Sequence, residues 1–187
     1  MQQQSAHRAG HAKQLKRPRR YTRDVEVTPK SLPDPATTRI AALDVGDRRI
    51  GVAITDELGY TAQPLFTLHR TNNRRADIKS LGRLLRRHHC THVVVGNPVH
   101  MSGDLSPQAE KAQAFANELA SALGVTIYLW DERLTTAAAH EILDAAGHST
   151  DRRDRKDIID QVAAVLILES FLQAQIQPTR DEGTSQL

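Results

Sequence analysis

Three carboxylates stand out in this chain because each falls at the end of a run that reads as a strand or near the start of one that reads as a helix. Asp44 closes the apolar run that begins at Ile40, and Gly46 follows almost at once. A glycine turn beside a strand-end carboxylate lets backbone approach a ligand closely, which suits phosphate or metal-phosphate chemistry. Glu132 follows the apolar run 125–130. Asp160 lies in the first turns of the last predicted helix, with Asp157 three residues earlier on the same side. Carboxylates gathered in one cleft repel, and unpaired they raise one another's pKa. Hard divalent cations relieve that repulsion, and Mg²⁺ or Mn²⁺ favours carboxylate oxygens with retained waters. Two such ions about 3.5–4 Å apart can activate a water and stabilise the leaving oxygen of a phosphodiester. Singly, each acid reads better as a surface group paired with a neighbour such as Arg133 or Lys156. The set of three points to a metal centre, with Asp131 and Asp157 as second choices.

These acids converge only if the right elements carry them. Pro29, Pro33 and Pro35 mark a linker into the folded part. Strands are expected at 39–45, 48–55 and 60–68. Ile78, Leu81, Leu84 and Leu85 recur at helical spacing between Asn73 and His89. A short buried strand follows at 91–95, ending at Gly96-Asn97-Pro98. Ser106-Pro107 is an N-cap with proline at the first helical position, and Gly124 ends that helix. A strand at 125–130, a helix near 136–146, an Arg-rich loop at 148–156 and a last helix at 157–174 complete the order. Ile158, Ile159, Val162, Val165, Leu166, Leu168, Phe171 and Leu172 are expected to form the apolar face of that helix. Three antiparallel-connected strands followed by helix-linked strands give an α/β fold, a mixed five-stranded sheet with helices on both faces. The first, fourth and fifth strands then run parallel, so their carboxyl ends open on one edge.

Charge is unevenly spread. Residues 1–30 hold eight Lys or Arg against Asp24 and Glu26, a net of +6, while the whole chain carries +3. The remainder is therefore at −3. Residues 1–36 read as a disordered basic tail and linker, because so polar a segment buries too little surface to offset its ordering entropy. Such an arm touches nucleic acid through counterion release or simply aids solubility. Residues 37–176 form one domain, and 177–187 read as a frayed C-terminal tail. Cys90 is the only cysteine, so no internal disulfide is expected, in keeping with a reducing cytoplasm. There is no run of roughly 18 apolar residues, and the polar N-terminus lacks the apolar core of a signal peptide, so no membrane is expected. Arg133, Arg152, Arg153, Arg155 and Lys156 flank the acids, where cations would admit a polyanionic nucleic acid. Charge balance alone is the other explanation. His88, His89, His92 and His100 show no ligand pattern, and Trp130 reads as a half-buried strand residue more readily than as a base-stacking one.

ALDVGDRRIGVAITD, VVVGNPVHMSGDLSPQAEKAQAFANELA, IYLWDERLTTAAA and KDIIDQVAAVLILESFL occur in this order over residues 38–174. Together they resemble the pre-16S rRNA nuclease family, also called Holliday-junction-resolvase-like YqgF proteins. The resemblance implies a ribonuclease-H-like fold and a bacterial, cytoplasmic nuclease that cleaves phosphodiesters with a divalent metal. It implies a role in maturing the 5′ end of pre-16S rRNA during ribosome biogenesis. Asp44, Glu132 and Asp160 match the family's three acids and would hold the metal. The chain departs from the family pattern at Asp47, where Thr or Ser is usual, and at Asn97, within what is otherwise Gly-Leu-Pro. The extra carboxylate could perturb the metal, and the asparagine places a polar group at the lip of the cleft.

The expected partner is structured nucleic acid, a ribosomal RNA precursor or a DNA four-way junction, and a homodimer is left open. Two rivals come from other classes. Actin-like phosphotransferases also open with an Asp-x-Gly hairpin, but they need two such domains to close over ATP, and no second block is present. A non-catalytic nucleic-acid-binding module would not need all three acids.

Overall fold

The computed structural model describes residues 25–26, 38–98, 106–131 and 152–176, without the side chains of 25–26, 152–154 and 175–176. Its elements are β1 (Val25–Glu26), β2 (Arg39–Val45), β3 (Arg49–Thr55), β4 (Ala62–His69), α1 (Arg74–Arg87), β5 (Cys90–Asn97), α2 (Pro107–Leu123), β6 (Thr126–Asp131) and α3 (Arg152–Ile176). The strands form one sheet in the order β1-β6-β5-β2-β3-β4. β2, β3 and β4 are an antiparallel meander, whereas β5 runs parallel to β2 and β6 parallel to β5. This is the expected ribonuclease-H-like mixed sheet with helices on both faces.

Val25–Glu26, inside the segment read as disordered, pairs in parallel with Ile127–Tyr128, so a sixth, two-residue strand borders the five long ones. The rest of 1–36, the expected helix at 136–146 and the tail 177–187 lie outside the described residues. The last helix begins at Arg152, so 152–156, read as loop, are its first turns. Arg and Lys are good helix formers, and no Gly or Pro interrupts them.

The buried stripe of α3 also differs from the expected one. Ala163, Ala164, Ile167, Leu168, Phe171 and Leu172 are buried, while Ile158, Ile159, Val162, Val165 and Leu166 are half-buried. Leu168, Phe171 and Leu172 are buried as apolar size suggested, but it also suggested the second set and passed over Ala163, Ala164 and Ile167. Close approach selected the first, because alanines let the helix axis come near the sheet.

Alternation along β2 divides the core. Ala41, Leu43 and Val45 pack with Ile78, Leu81 and Leu85 of α1 and with Phe115, Ala116 and Leu119 of α2. Ile40 and Ala42 face the other way, onto Ala164, Ile167, Leu168 and Phe171 of α3. The helix ends are set locally. Asn73 accepts from Ala76 N at 3.2 Å, Ser106 Oγ accepts from Ala109 N at 3.0 Å, and Gly124 takes φ 65°. Among the described residues no helix is long and apolar enough to cross a membrane.

Candidate active site

Asp44 continues the even-numbered side of β2, so its carboxylate emerges on the α3 face just beyond Ile40 and Ala42. Its partner across β3 is Gly51, and Gly51 pairs in turn with Thr67 of β4. The next row along pairs Arg49 with His69. The first described turns of α3 lie over these two rows.

Gly51 decides how close they come. A Cβ there would stand 1.9 Å from the carbonyl oxygen of Asp160 and 3.1 Å from its Cα. The helix can therefore rest on β3 at this point only because the residue has no side chain. Thr67 Oγ1 donates to the Asp157 carbonyl at 2.8 Å, and Gln161 Nε2 donates to Thr67 Oγ1 at 3.3 Å, which fixes the helix along the strand.

The charges follow from that contact. Arg49 Nε donates a short hydrogen bond to Asp160 Oδ2 and lies 3.7 Å from Asp157 Oδ1. His69 Nε2 is 2.9 Å from Asp157 Oδ2. Burial pushes the Asp44 carboxyl up to about 6, and the Asp160 charge raises it further than the Arg49 cation lowers it. The Asp160 hydrogen bond holds the Arg49 guanidinium above its usual pKa, with Asp160, Asp157 and Asp44 charges adding to it. Asp157 Oδ1 is buried and accepts no hydrogen bond from the described residues. Among the described residues the site is thus short of positive charge even with Arg49 in place. Asp44 and Asp160 are the carboxylates that could share a cation, with Asp157 beside them. Among the described residues no group of three or more His, Cys, Asp or Glu is arranged to hold a metal.

Of the residues singled out from sequence, Asp44 and Asp160 are brought together. Glu132 and Arg133 directly follow β6 in the chain and lie outside the described residues. Arg152 and Arg153 belong to α3, but their side chains are not described. Arg155 and Lys156 occupy its first turns, half-buried and exposed respectively. The hairpin glycine has a plainer role than ligand approach. Gly46 N donates to Arg49 O at 2.9 Å to close the turn, and Gln108 and Arg70 donate to the Val45 and Gly46 carbonyls. Asp47 is drawn to α2 by Lys111 at 2.7 Å, so its charge is already answered there. Asn97 is buried, not at a cleft lip, because its Oδ1 accepts from Gln113 Nε2 at 2.9 Å. Trp130 donates to Ser170 Oγ at 3.1 Å and meets Phe171 edge-on, the packing role. Sequence reasoning passed over Arg49, Gly51 and His69. Only Gly51 carried a signal, a glycine in mid-strand between Ile50 and Val52.

The model of the family RuvX: Holliday junction resolvase matches residues 38–174. A protein of Pelotomaculum thermopropionicum named "putative pre-16S rRNA nuclease" is 44% identical over 145 residues, 78% of this chain and 93% of its own length. One of the same name from Moorella thermoacetica is 48% identical over 134 residues, covering 72% and 94%. The structure of Thermus thermophilus RuvC with a Holliday junction substrate aligns at TM-score 0.44 and 16% identity, covering 74% of this chain and 96% of that one. With one model spanning the five long strands and nearly all of α3, and relatives matched over nearly their full length, the chain belongs to the RuvX family.

Proposed function

We infer that this chain is a cytoplasmic nuclease that uses a divalent metal to hydrolyse phosphodiester bonds in structured nucleic acid, with the 5′ end of pre-16S rRNA as its substrate. The observation that carries the reading is the meeting of Asp44 and Asp160 across Gly51, two carboxylates with too little positive charge between them. Family membership supports the reaction class, and the relatives' names support the RNA.

The donor set fits a hard cation. Asp44 and Asp160 offer carboxylate oxygens on one face, and Glu132, the residue after β6, completes the proposed set. A pair of Mg²⁺ or Mn²⁺ ions would supply an activated water and charge compensation at the leaving oxygen. Arg49 orients Asp160 and partly neutralises it, while His69 and Thr67 hold Asp157 and the helix turn in register. Arg133, Arg152, Arg153, Arg155 and Lys156 are proposed to guide the phosphate backbone to the acids.

The test uses a pre-16S rRNA fragment and a four-way DNA junction with Mg²⁺, Mn²⁺ or excess chelator. Asp44→Asn, Glu132→Gln and Asp160→Asn should each lower cleavage by about a hundredfold or more, the scale expected for losing a catalytic electrostatic group. RNA binding should persist in all three. Undiminished cleavage in chelator removes the metal, and preference for the junction favours the resolvase activity that the family's name carries.

A further inference from the structure

We propose that the exposed face of α1 is a second nucleic-acid surface, which grips the phosphate backbone of a substrate arm on the side of the sheet away from Asp44 and Asp160. Its partner class rests on the nuclease reading above. The helix carries Arg74, Arg75, Lys79, Arg83, Arg86 and Arg87 against one acid, Asp77. Asp77 is buried and turned inward, accepting from N and Oγ1 of Thr71 at 3.0 and 2.8 Å. Arg74 is engaged by Glu118 at 2.7 Å. The other five cations are exposed and have no carboxylate partner among the described residues.

Four of them form one row of i, i+4 neighbours that winds about 120° around the exposed side of the helix. Arg75, Lys79, Arg83 and Arg87 recur at every fourth position, about 6 Å apart and about 18 Å from end to end along an α-helix. Like charges at i, i+4 destabilise a helix, and three such pairs stand here in succession. No described acid offsets them. A linear polyanion would offset all four at once, and it would gain the entropy of its released counterions.

Ile78, Leu81 and Leu85 bury the opposite side of the helix, so the stripe is held outward on a rigid support. The alternation of β2 sets α1 beneath Ala41 and Leu43, on the face opposite Asp44. A stretch of nucleic acid lying on α1 is therefore not the stretch lying at the acid pair. A substrate reaching both must branch or fold back, as a structured precursor or a junction does.

The experiment compares the full-length protein with Arg75→Gln/Lys79→Gln/Arg83→Gln/Arg87→Gln and with the charge-conserving Arg75→Lys/Arg83→Lys/Arg87→Lys. Binding is measured in chelator across a salt series, to a two-armed RNA and to a duplex long enough only for the acid site. The Gln variant should bind the two-armed RNA about tenfold or more weakly, with the slope of log affinity against log salt reduced by about three, near four lost phosphate contacts. Its affinity for the short duplex should stay within about twofold of wild type, its melting temperature should not fall, and the Lys variant should match wild type. Superimposable isotherms on the two-armed RNA overturn the proposal, including the case of a stripe that serves an acidic protein. Equal weakening on both ligands overturns the separation of the two surfaces. A chain that cleaves neither RNA nor junction with metal, yet loses binding in the Gln variant, removes the nuclease reading and leaves the surface standing.

Discussion

From Ala164 to Leu172, α3 meets the sheet through Ile167, Leu168 and Phe171 against Ile40, Ala42, Val94 and Tyr128; from Asp157 to Gln161, it meets Arg49, Gly51, Thr67 and His69. Helix and sheet face are the same in both halves, but the free energies oppose. Each large side chain buried in the first half contributes about 1.5–3 kcal/mol. In the second half, the carboxylates of Asp44, Asp157 and Asp160 share a poorly solvated corner with Arg49, and ionising Asp44 is unfavourable. The apolar half holds the polar half in an arrangement that the acids alone would not adopt. Clusters of this kind are where cations bind.

The largest effect should come from the apolar half. Phe171 is fully buried and touches both Tyr128 and Trp130, with ring centroids 5.3 and 5.2 Å away. Phe171→Ala should cost about 3–5 kcal/mol by denaturant titration. A loss below about 1 kcal/mol would mean that the polar half holds α3 unaided.

Gly51→Val attacks the joint between the halves. Its side chain meets helix backbone, not a movable side chain, so α3 must lift from β3. Cleavage should fall about a hundredfold from the displacement of Asp160, and stability by about 1–3 kcal/mol. Wild-type activity would show that the close approach is dispensable.

Asp44→Asn should act in the opposite sense on stability. The folded protein holds the Asp44 proton up to about pH 6, whereas the ordinary carboxyl releases it near 3.8. Stability therefore falls as pH rises through that window and stays lowered above it. Without divalent ions at pH 8, the variant should be about 1–3 kcal/mol more stable than wild type, and its melting temperature should vary less between pH 4 and 6. Added Mg²⁺ should narrow the gap by stabilising wild type alone. A variant less stable than wild type at pH 8 would refute the charge deficit.

The smallest effect belongs to Trp130→Phe. The change removes one hydrogen bond to Ser170 and keeps the ring against Phe171, so about 1 kcal/mol should be lost with cleavage unchanged. A fall in RNA affinity would restore a base-stacking role.

Much of this architecture is legible in the chain, because it depends on neighbours in sequence. Apolar runs give the five long strands, Asn73, Ser106 and Gly124 bound helices through local capping, and Asp44 reads as a strand-end acid from its position between Leu43 and Gly46. The buried stripe of α3 was legible only in its second half, at Leu168, Phe171 and Leu172. Hydrophobic size favours Ile158 and Val162, while burial went to Ala163 and Ala164, whose small volume matters only once the sheet is beneath them. The same holds for Asn97, polar by type but satisfied by Gln113 sixteen residues away, and for Asp47, answered by Lys111. The acid pair itself joins two positions far apart in the chain, brought together by a glycine that shows its importance only when Asp160 lies on top of it. Local spacing determined which residues could be ligands or helix ends. Which charges face one another was decided by packing, because Coulomb interactions and desolvation depend on distance in space and not on distance along the chain.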